Sequence, residues 1–524
     1  MARKAAKMFK LLYCSSTSAC FELENDAPFY APEKFELKLN GTTAGTFDSN
    51  VFSAFSLKPD TEYIAEVGGD KLAFRTKAET AAISVKDFGA AGDGVTEDTV
   101  AIQTAINFMP TGGRLYFPEG TYLTLPLALK SHITIELSEK AVILGSTDRS
   151  RYPVIPGKAL DIVTGEDREF GIFEGQVMDM YQALFHAEYC DDITVIGPGA
   201  LDGNAQNGDW WEVYKTVKTA RPRVLFTNRC TNIRFHGVQV RNSAAWQIHP
   251  FFSDDLGFYD VSVSAPKISP NTDALDPESC DRVEIIGCRF SVGDDCVAIK
   301  SGKIDLGKKY KKPADHTTIR NCLMAYGHGS VVIGSEIGAG INNLSVSQCY
   351  FKATDRGLRI KTRRGRGEDC RITGIAFDNI VMEDVLTPIV VNSWYNCCDV
   401  DRFSEYNFTR KALPVDYRTP HLGTFAFRNM KCTGAEVAAC YVDGLPEAPI
   451  EEVAFENVSI SFSPDAKPGE CAMECFLGFM KKVGLHLENV ERVILRNVDL
   501  DGVEGEGLIA VNTGNIVEEN FNVR

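Results

Sequence analysis

The sequence lacks long apolar runs. None of its 524 residues falls in a stretch of about 18 consecutive apolar residues, so we predict no transmembrane helix. The N-terminus begins with basic residues, but its only apolar run, from Met8 to Cys14, is short and contains Lys10, which makes a poor secretion signal. The simplest expectation is a cytoplasmic protein, or a secreted one if a signal has been removed.

Basic charge is also scarce. The chain has 55 Lys and Arg against 71 Asp and Glu, for a net charge of −16. Because binding to phosphates needs a basic surface, this balance argues against a nucleic-acid partner. The apolar content of 44% and the charged content of 24% are typical of a globular protein, and the length is sufficient for two domains. We therefore expect neither a nucleic-acid nor a membrane partner.

Paired C-x-x-C motifs are absent from the 16 cysteines, so nothing indicates a zinc site. Cys288, Cys322 and Cys349 lie inside segments that are otherwise typical of strand cores. A free cysteine packs as a small buried hydrophobe. The sequence therefore predicts mostly reduced, structural thiols.

One short pattern recurs through most of the chain: alternating apolar residues, then Asn, Gly, Gln or another polar residue, then a further apolar residue, as in residues 233–240 and 453–460. Successive copies lie 23 to 50 residues apart, a spacing typical of solenoid coils with loop insertions. The repeat predicts a right-handed parallel β-helix, and its irregular period disfavours a β-sandwich or a propeller. The apolar residues after the polar position are Val238, Val261, Cys288, Cys322, Cys349, Ile380, Met430, Val458 and Val498.

The first 80 residues form a different pattern. Short alternating segments surround Leu57-x-Pro-x-Thr-x-Tyr63, which resembles the tyrosine corner of fibronectin type III domains. We predict a small β-sandwich domain over residues 1–80 and a β-helix domain over residues 81–524. The helical spacing of Ile102, Ala105, Ile106 and Met109, after Thr96 and Asp98 as candidate caps, predicts a helix that covers the first coil.

Three aspartates mark the candidate site. Asp273 and Asp295 lie 22 positions apart, with two strand-like pieces between them, and Asp294 precedes Asp295 directly. If the chain coils once in that interval, the carboxylates meet on adjacent strands about 4.8 Å apart. Neighbouring carboxylates raise the pKa of one of the group, which creates an acid beside a base.

A basic strand follows about two coils later. Arg359, Lys361 and Arg363 alternate with apolar or small residues, so all three cations face one way. His328 lies midway between Asp295 and Arg359, about one coil from each. The cations indicate either an anionic ligand or salt bridges to the aspartates.

Four motifs carry a family resemblance: NTD at 271–273, GDD at 293–295, GHG at 327–329 and RIK at 359–361. In this order they resemble glycoside hydrolase family 28, the polygalacturonases, over about residues 83–510. Ala274, where the family usually has Gly, is a departure that leaves the carboxylate intact.

The resemblance implies a β-helix enzyme that needs no cofactor and no metal. Asp294 would be the general acid, and Asp273 and Asp295 would activate water for displacement with inversion. His328 would tune the acid or bind at the cleavage point, while Arg359 and Lys361 would hold a galacturonate carboxylate. Further candidate substrate-binding residues are Asn271, Arg363 and His249.

The presence of the GHG and RIK motifs favours α-1,4-linked galacturonate as the substrate. Long insertions at 146–182, 303–316 and 393–421 resemble those of bacterial exo-acting members, so we expect cleavage from a chain end. Three alternatives stay open: an endo-acting polygalacturonase, a calcium-dependent pectate lyase, and a non-catalytic β-helix that binds pectin. The oligomeric state is not indicated.

Overall fold

A computed structural model describes residues 8–160, 162, 164–216, 218–396, 405–474 and 477–524. Residues 8–75 form two facing sheets around one apolar core that includes Phe21, Phe52 and Phe74. The hydroxyl of Tyr63 accepts a hydrogen bond from the Lys58 backbone N–H (2.9 Å), as in a tyrosine corner. The three-stranded sheet contains Phe9–Cys14, Ala19–Leu23 and Val51–Ala54, and the four-stranded sheet contains Tyr30–Leu39, Thr42–Ser49, Glu62–Val67 and Asp70–Arg75.

From residue 82 onward the chain winds into a right-handed parallel β-helix, which confirms the predicted fold class. One face of the helix, here called the cleft sheet, is built from one short strand per coil. Leu275 joins its two halves by bridging Ile248 and Val297. The strands of the cleft sheet are Leu127–Ala128, Phe185–Glu188, Leu225–Asn228, Ile248–Phe251, Val297–Ile299, Val331–Gly334, Arg356–Lys361, Thr387–Asn392, Ala438–Asp443, Val483–Glu488 and Leu508–Val511.

The remaining faces form one wide, bent sheet in which every coil pairs in parallel with the next. Its strands are Ala82–Ser84, Asp93–Glu97, Gly113–Phe117, Gly120–Thr124, Ile133–Leu137, Ala141–Gly145, Asp191–Ile196, Ala200–Asp202, Thr231–His236, Gln239–Arg241, Asp254–Tyr259, Ser262–Ser264, Asp281–Ile286, Arg289–Ser291, Asp315–Arg320, Leu323–Gly327, Ile341–Ser347, Tyr350–Thr354, Arg371–Glu383, His421–Leu422, Thr424–Ala435, Ile450–Phe462, Val490–Asp501 and Asn515–Val523.

The recurring polar position of the sequence pattern is the corner of each coil. Asn321, Asn379, Asn457 and Asn497 all have φ between 52° and 57°, in the left-handed region that asparagine tolerates. The apolar residue after each corner points inward, and all nine marker residues are buried. The Cys288, Cys322 and Cys349 side chains stack among them as buried free thiols.

The helix Thr99–Phe108 buries Ile102, Ala105 and Ile106 against the first coils. Asp98 precedes it, but its side chain does not cap the helix and instead accepts hydrogen bonds from the N–H groups of Ala91 and Gly92. None of the helices in the described ranges is long and apolar enough to cross a membrane. The other helices are Ile304–Tyr310 and Glu405–Phe408, with 3₁₀ turns at Val85–Phe88, Arg149–Arg151 and Ala205–Asn207.

The long insertions carry their own structure. Residues 146–182 contain three small antiparallel pairs: Val154–Ile155 with Met180–Tyr181, Lys158–Leu160 with Asp167–Glu169, and Ile172–Phe173 with Gln176–Val177. Residues 303–316 contain the helix Ile304–Tyr310, and the insertion at 393–421 lies partly outside the described residues.

Candidate active site

A cleft of about 410 Å³ lies on the middle strands of the cleft sheet. The parallel register brings the candidate residues to it from successive coils. The Ala274 N–H donates to the Asp295 carbonyl (3.0 Å), and the His328 N–H donates to the Asp294 carbonyl (3.0 Å). Residues about 21 and 34 positions apart along the chain therefore become lateral neighbours on adjacent coils.

The three aspartates meet as the spacing predicted. One carboxylate oxygen from each of Asp273, Asp294 and Asp295 lies within 4.8 Å of the others. Asp273 and Asp295 are buried, while Asp294 is partly exposed to the cleft. At such distances the three carboxyl groups cannot all carry a charge unless cations compensate for it.

Of the three aspartates, Asp295 forms ion pairs with two cations, Lys361 and Arg359. Burial would raise its pKa, but Lys361 Nζ at 2.7 Å and Arg359 Nη1 at 3.4 Å from its oxygens hold that pKa well below the usual range. Both cations come from the strand Arg356–Lys361, where alternation places them on the cleft side. Asp295 is therefore the aspartate of the site that is held in its ionised form.

The pKa values of the other two carboxyl groups are shifted in the opposite direction. Burial raises the pKa of Asp273 well above its usual value, and the nearby Asp276 and Asp294 add to this effect. Burial and the charge of Asp295 also raise the pKa of Asp294, against the opposing influence of His328. The cleft thus places carboxyl groups of raised pKa beside one of lowered pKa, a division that suits general acid–base chemistry.

His328 stands at the open side of the cleft, and its ring Nδ1 pairs with the Asp355 carboxylate at 2.7 Å. This hydrogen bond raises the histidine pKa, although burial opposes it, and the charge of Asp294 contributes further. An imidazolium next to Asp294 would in turn limit the rise in the aspartate pKa. The sequence pattern did not single out Asp355, although it lies directly before the basic strand.

Sequence reasoning also missed a buried lysine in the cleft floor. Lys300 ends the apolar strand after the GDD motif, and its Nζ lies 3.3 Å from Asp276 and 3.4 Å from Glu336. Burial would lower the lysine pKa, but the surrounding carboxylates raise it well above the usual value. The signal in the sequence was a lysine placed directly after the short apolar strand Val297–Ile299.

Two insertions bracket the cleft. On the side of the earlier coils, Glu174 at the tip of the 146–182 insertion lines the cleft, and the Lys303 N–H donates to the Gly175 carbonyl at 3.3 Å. On the side of the later coils, Glu470 and Met473 line it, from the segment formed by residues 463–474 and 477–482. We call this segment the late wall. It falls in a long interval between repeats, but the sequence pattern did not single it out.

Three candidate substrate-binding residues differ in placement. Asn271 lines the cleft and accepts a hydrogen bond from Arg221 Nη2 at 2.6 Å. His249 does not reach the cleft, because its ring is fully buried and pairs with Glu278 at 2.9 Å beneath the floor. Arg363 is also buried and does not line the cleft. Its strand ends at Lys361, so the alternation that was predicted to aim Arg363 into the cleft stops short of it.

The chain matches known families in two places. The model of glycosyl hydrolases family 28 matches residues 169–473, and the model "Rhamnogalacturonase A/epimerase, pectate lyase-like" matches residues 82–151. The first match covers all four motifs and more than half of the chain. With a carboxylate triad set in a β-helix cleft, the protein is a glycoside hydrolase, and the chain belongs to glycosyl hydrolase family 28.

Relatives and solved structures agree with this membership. A probable polygalacturonase of Vitis vinifera is 29% identical over 402 residues, covering 73% of this chain and 75% of the relative. The exo-poly-alpha-D-galacturonosidase of Dickeya chrysanthemi is 25% identical, covering 74% and 73%.

Among solved structures, the exopolygalacturonase of Yersinia enterocolitica aligns over 97% of this chain and 98% of its own, with a TM-score of 0.72 and 18% identity, which shows the fold. The Thermotoga maritima exopolygalacturonase aligns over 82% and 91%, with a TM-score of 0.62 and 26% identity.

Proposed function

We propose that this protein hydrolyses α-1,4-linked galacturonate in polygalacturonate or oligogalacturonates, releasing product from a chain end. The observation that carries the proposal is the division of charge among three adjacent carboxyl groups. Asp295 is held as an anion by Lys361 and Arg359, whereas burial and the charge of Asp295 raise the pKa of Asp294. A protonated acid and a fixed carboxylate are what glycosidic hydrolysis needs.

The charges support distinct roles. Asp294, the aspartate exposed to the cleft, protonates the glycosidic oxygen, and the anionic Asp295 takes the proton of the attacking water. Asp273 has a raised pKa, so it is the weaker base of the pair and mainly orients that water. His328, paired with Asp355, sets the charge next to the acid.

The same cations suit an acidic sugar. Arg359 and Lys361 face the cleft and already approach one carboxylate, that of Asp295. A guanidinium has five donors, so Arg359 retains further N–H groups for a galacturonate carboxylate. Neutral sugars would not use this positive charge, which supports a uronate substrate.

The stereochemical course needs its own measurement. Resemblance to the family implies inversion. The triad oxygens, however, lie within 4.8 Å of one another, which is closer to the roughly 5–5.5 Å spacing of retaining enzymes than to the 6.5–9.5 Å spacing of inverting ones. We propose inversion on the strength of the family. Proton NMR of the first product would show the β anomer for inversion and the α anomer for retention.

Cleavage from a chain end is supported by the insertion at 146–182. Its tip closes the early-coil end of the cleft, where Glu174 and Trp246 line it and Gly175 packs against Lys303. A cleft closed at one end admits a chain terminus more readily than the middle of a polymer. The Dickeya relative is named an exo-poly-alpha-D-galacturonosidase, which agrees with this proposal.

A calcium-dependent lyase is the main alternative. The three carboxylates could hold a divalent ion, but Lys361 and Arg359 already bind the oxygens of Asp295 and would repel it. Lyase action would produce an ultraviolet-absorbing unsaturated product, and EDTA would abolish it. Hydrolysis should yield saturated products and survive chelation.

Product chromatography on polygalacturonate and on short oligogalacturonates tests the proposal. Exo-action predicts one small product from the first minutes onward, while endo-action predicts a ladder of intermediate lengths. If no product forms from any of these substrates, the proposed hydrolysis is wrong and a non-catalytic pectin-binding role is favoured.

A further inference from the structure

The late wall gives the cleft a second boundary, whose chemistry is unlike that of its centre. Arg356 fixes the wall in place: its Nη2 donates to the Glu470 carbonyl (2.6 Å) and its Nε donates to the Cys471 carbonyl (3.1 Å). Asn392 donates to the Met473 carbonyl (3.1 Å) from the next strand of the cleft sheet. The wall is therefore held at three backbone points across two coils.

These contacts occupy part of the Arg356 guanidinium, which also lines the cleft. Its guanidinium is largely buried, and it is engaged by the two carbonyls and, at 3.5 Å, by Asp355. Beyond Arg359 and Lys361, the late-coil end of the cleft is lined by Arg356, Tyr395, Glu470 and Met473. Among the described residues, this end offers a sugar the Glu470 carboxylate and the Met473 thioether beside Arg356, whose Nε and Nη2 already donate to the wall.

The Glu470 side chain is exposed at the rim. It forms no hydrogen bond or ion pair with the part of the chain that the structure describes. Its charge is therefore not neutralised by a partner and acts on whatever enters from that side. Like charges at close range repel by about 1 kcal/mol at 4 Å even in bulk water, and by more near a protein surface.

The size of the cleft agrees with a short ligand. At about 410 Å³ it is near the lower end of the roughly 300–1,000 Å³ typical of small-molecule sites. Glu174 lines its opposite, early-coil end, so a glutamate marks each boundary. Arg359 and Lys361 lie between these two boundaries.

We propose that Glu470 is a specificity-determining residue that disfavours a further uronate beyond those flanking the scissile bond, so that short oligogalacturonates are preferred over the polymer. The proposal rests on the hydrolysis of galacturonate chains proposed above. The interaction is repulsive and thus acts only on substrates long enough to place a carboxylate at the late wall.

A chain-length series tests this proposal. We would measure kcat/KM on digalacturonate, hexagalacturonate and polygalacturonate for the wild type and for Glu470→Gln, at low salt and at high salt. The variant should gain about fivefold on the two long substrates, as removal of one unscreened repulsion predicts, and change less than twofold on the dimer. The gain should shrink at high salt, because ions screen the exposed charge.

A matched control is Glu518→Gln, which removes the same charge from an exposed position on the last coil, outside the cleft. It should behave as wild type on every length. An equal change on dimer and polymer in Glu470→Gln, or no change on the polymer, would overturn the proposal. Failure of the hydrolysis itself would be distinct, since the wild type would then release no product from any substrate.

Discussion

Two clusters of buried carboxylates lie on the cleft sheet, a few coils apart. In the cleft, Asp295 is paired with Lys361 and Arg359, beside Asp294, whose pKa is raised by burial and by the charge of Asp295. In the second cluster, Asp443 and Glu474 share Arg410, whose Nη1 lies 2.5 Å from Asp443 Oδ2.

The Tyr441 hydroxyl also approaches both acids of the second cluster, at 3.4 Å from Asp443 and 3.2 Å from Glu474. The raised pKa of the second pair shows that a shifted carboxyl group does not by itself mark a catalytic site. Burial and the proximity of Asp443 raise the pKa of Glu474 to about 7, although Arg410 opposes the shift. The difference is access: Asp294 faces the cleft, whereas Asp443 and Glu474 are buried and do not line it. We therefore expect substitutions in the first cluster to change turnover and substitutions in the second to change stability.

The sharpest contrast is between Asp294→Asn and Asp443→Asn. Loss of a general acid costs about 10²–10⁴-fold in rate, so Asp294→Asn should lower kcat by at least that factor while the melting temperature stays within a few degrees of wild type. Asp443→Asn should keep kcat within a few-fold of wild type. Assays of reducing-end release on oligogalacturonates, with thermal melts, would check both. A comparable loss of kcat in the two variants would contradict the comparison.

Lys361→Met should change the pH profile. It removes one of the two cations that hold the pKa of Asp295 low, and a neighbouring opposite charge lowers a carboxyl pKa by about 1–3 units. The acid limb of kcat/KM should therefore move to higher pH by about one unit or more. Lys361→Arg, which retains the charge, is the control and should leave that limb near its wild-type position. An unmoved limb in Lys361→Met would mean that Arg359 alone fixes the charge.

Arg410→Ala should act on stability rather than on chemistry. It leaves Asp443 and Glu474 buried without their shared cation, and an unsatisfied buried acceptor costs about 1–3 kcal/mol. Urea unfolding should show this loss, while kcat at a temperature where the variant is folded stays near wild type. Adding Glu474→Gln to Arg410→Ala should recover part of the loss; a double variant less stable than the single one would speak against this account.

Glu474→Gln should reduce the pH dependence of the free energy of unfolding between about pH 4.5 and pH 7. The folded-state pKa of about 7 exceeds the ordinary value near 4.5, so the folded protein binds this proton more tightly than the unfolded chain. That contribution is fully present below about pH 4.5 and is lost as the pH rises to about 7, with a slope of at most about 1.4 kcal/mol per unit. Relative to wild type, the variant should gain stability over that window. Unfolding at several pH values measures the difference, and a difference that does not change with pH would refute it.

Residue pattern alone predicted the β-helix, because each coil repeats a corner and an inward residue. Asn321 and Cys322, for example, occupy the corner and the core position that the pattern gave them. The residue pattern also predicted that Asp273, Asp294 and Asp295 lie close together, because the length of a coil determines which residues become neighbours on adjacent strands. It could not place Glu470 or Asp355, whose roles depend on how a long insertion folds back and on which face a residue outside the regular strand occupies.

His249 and Lys300 also show what the residue pattern cannot predict. Both lie on the cleft sheet, yet His249 is sealed beneath the floor with Glu278 while Lys300 reaches the cleft. Sequence alternation gives the direction of a side chain but not the depth at which it stops. Depth depends on the packing of neighbouring coils.

The contacts of the N-terminal sheets have a mechanical consequence. Thr17 donates to Glu136, Glu22 pairs with Arg320, and Asp26 accepts a hydrogen bond from Asn379, so one small unit touches turns spread over much of the spiral. In a solenoid each coil otherwise contacts only its neighbours, and fraying can start anywhere and spread. A unit bound to many coils at once couples their unfolding, because loosening one coil strains the contacts of the others. Deletion of the N-terminal sheets should replace a single sharp thermal transition with a stepwise one.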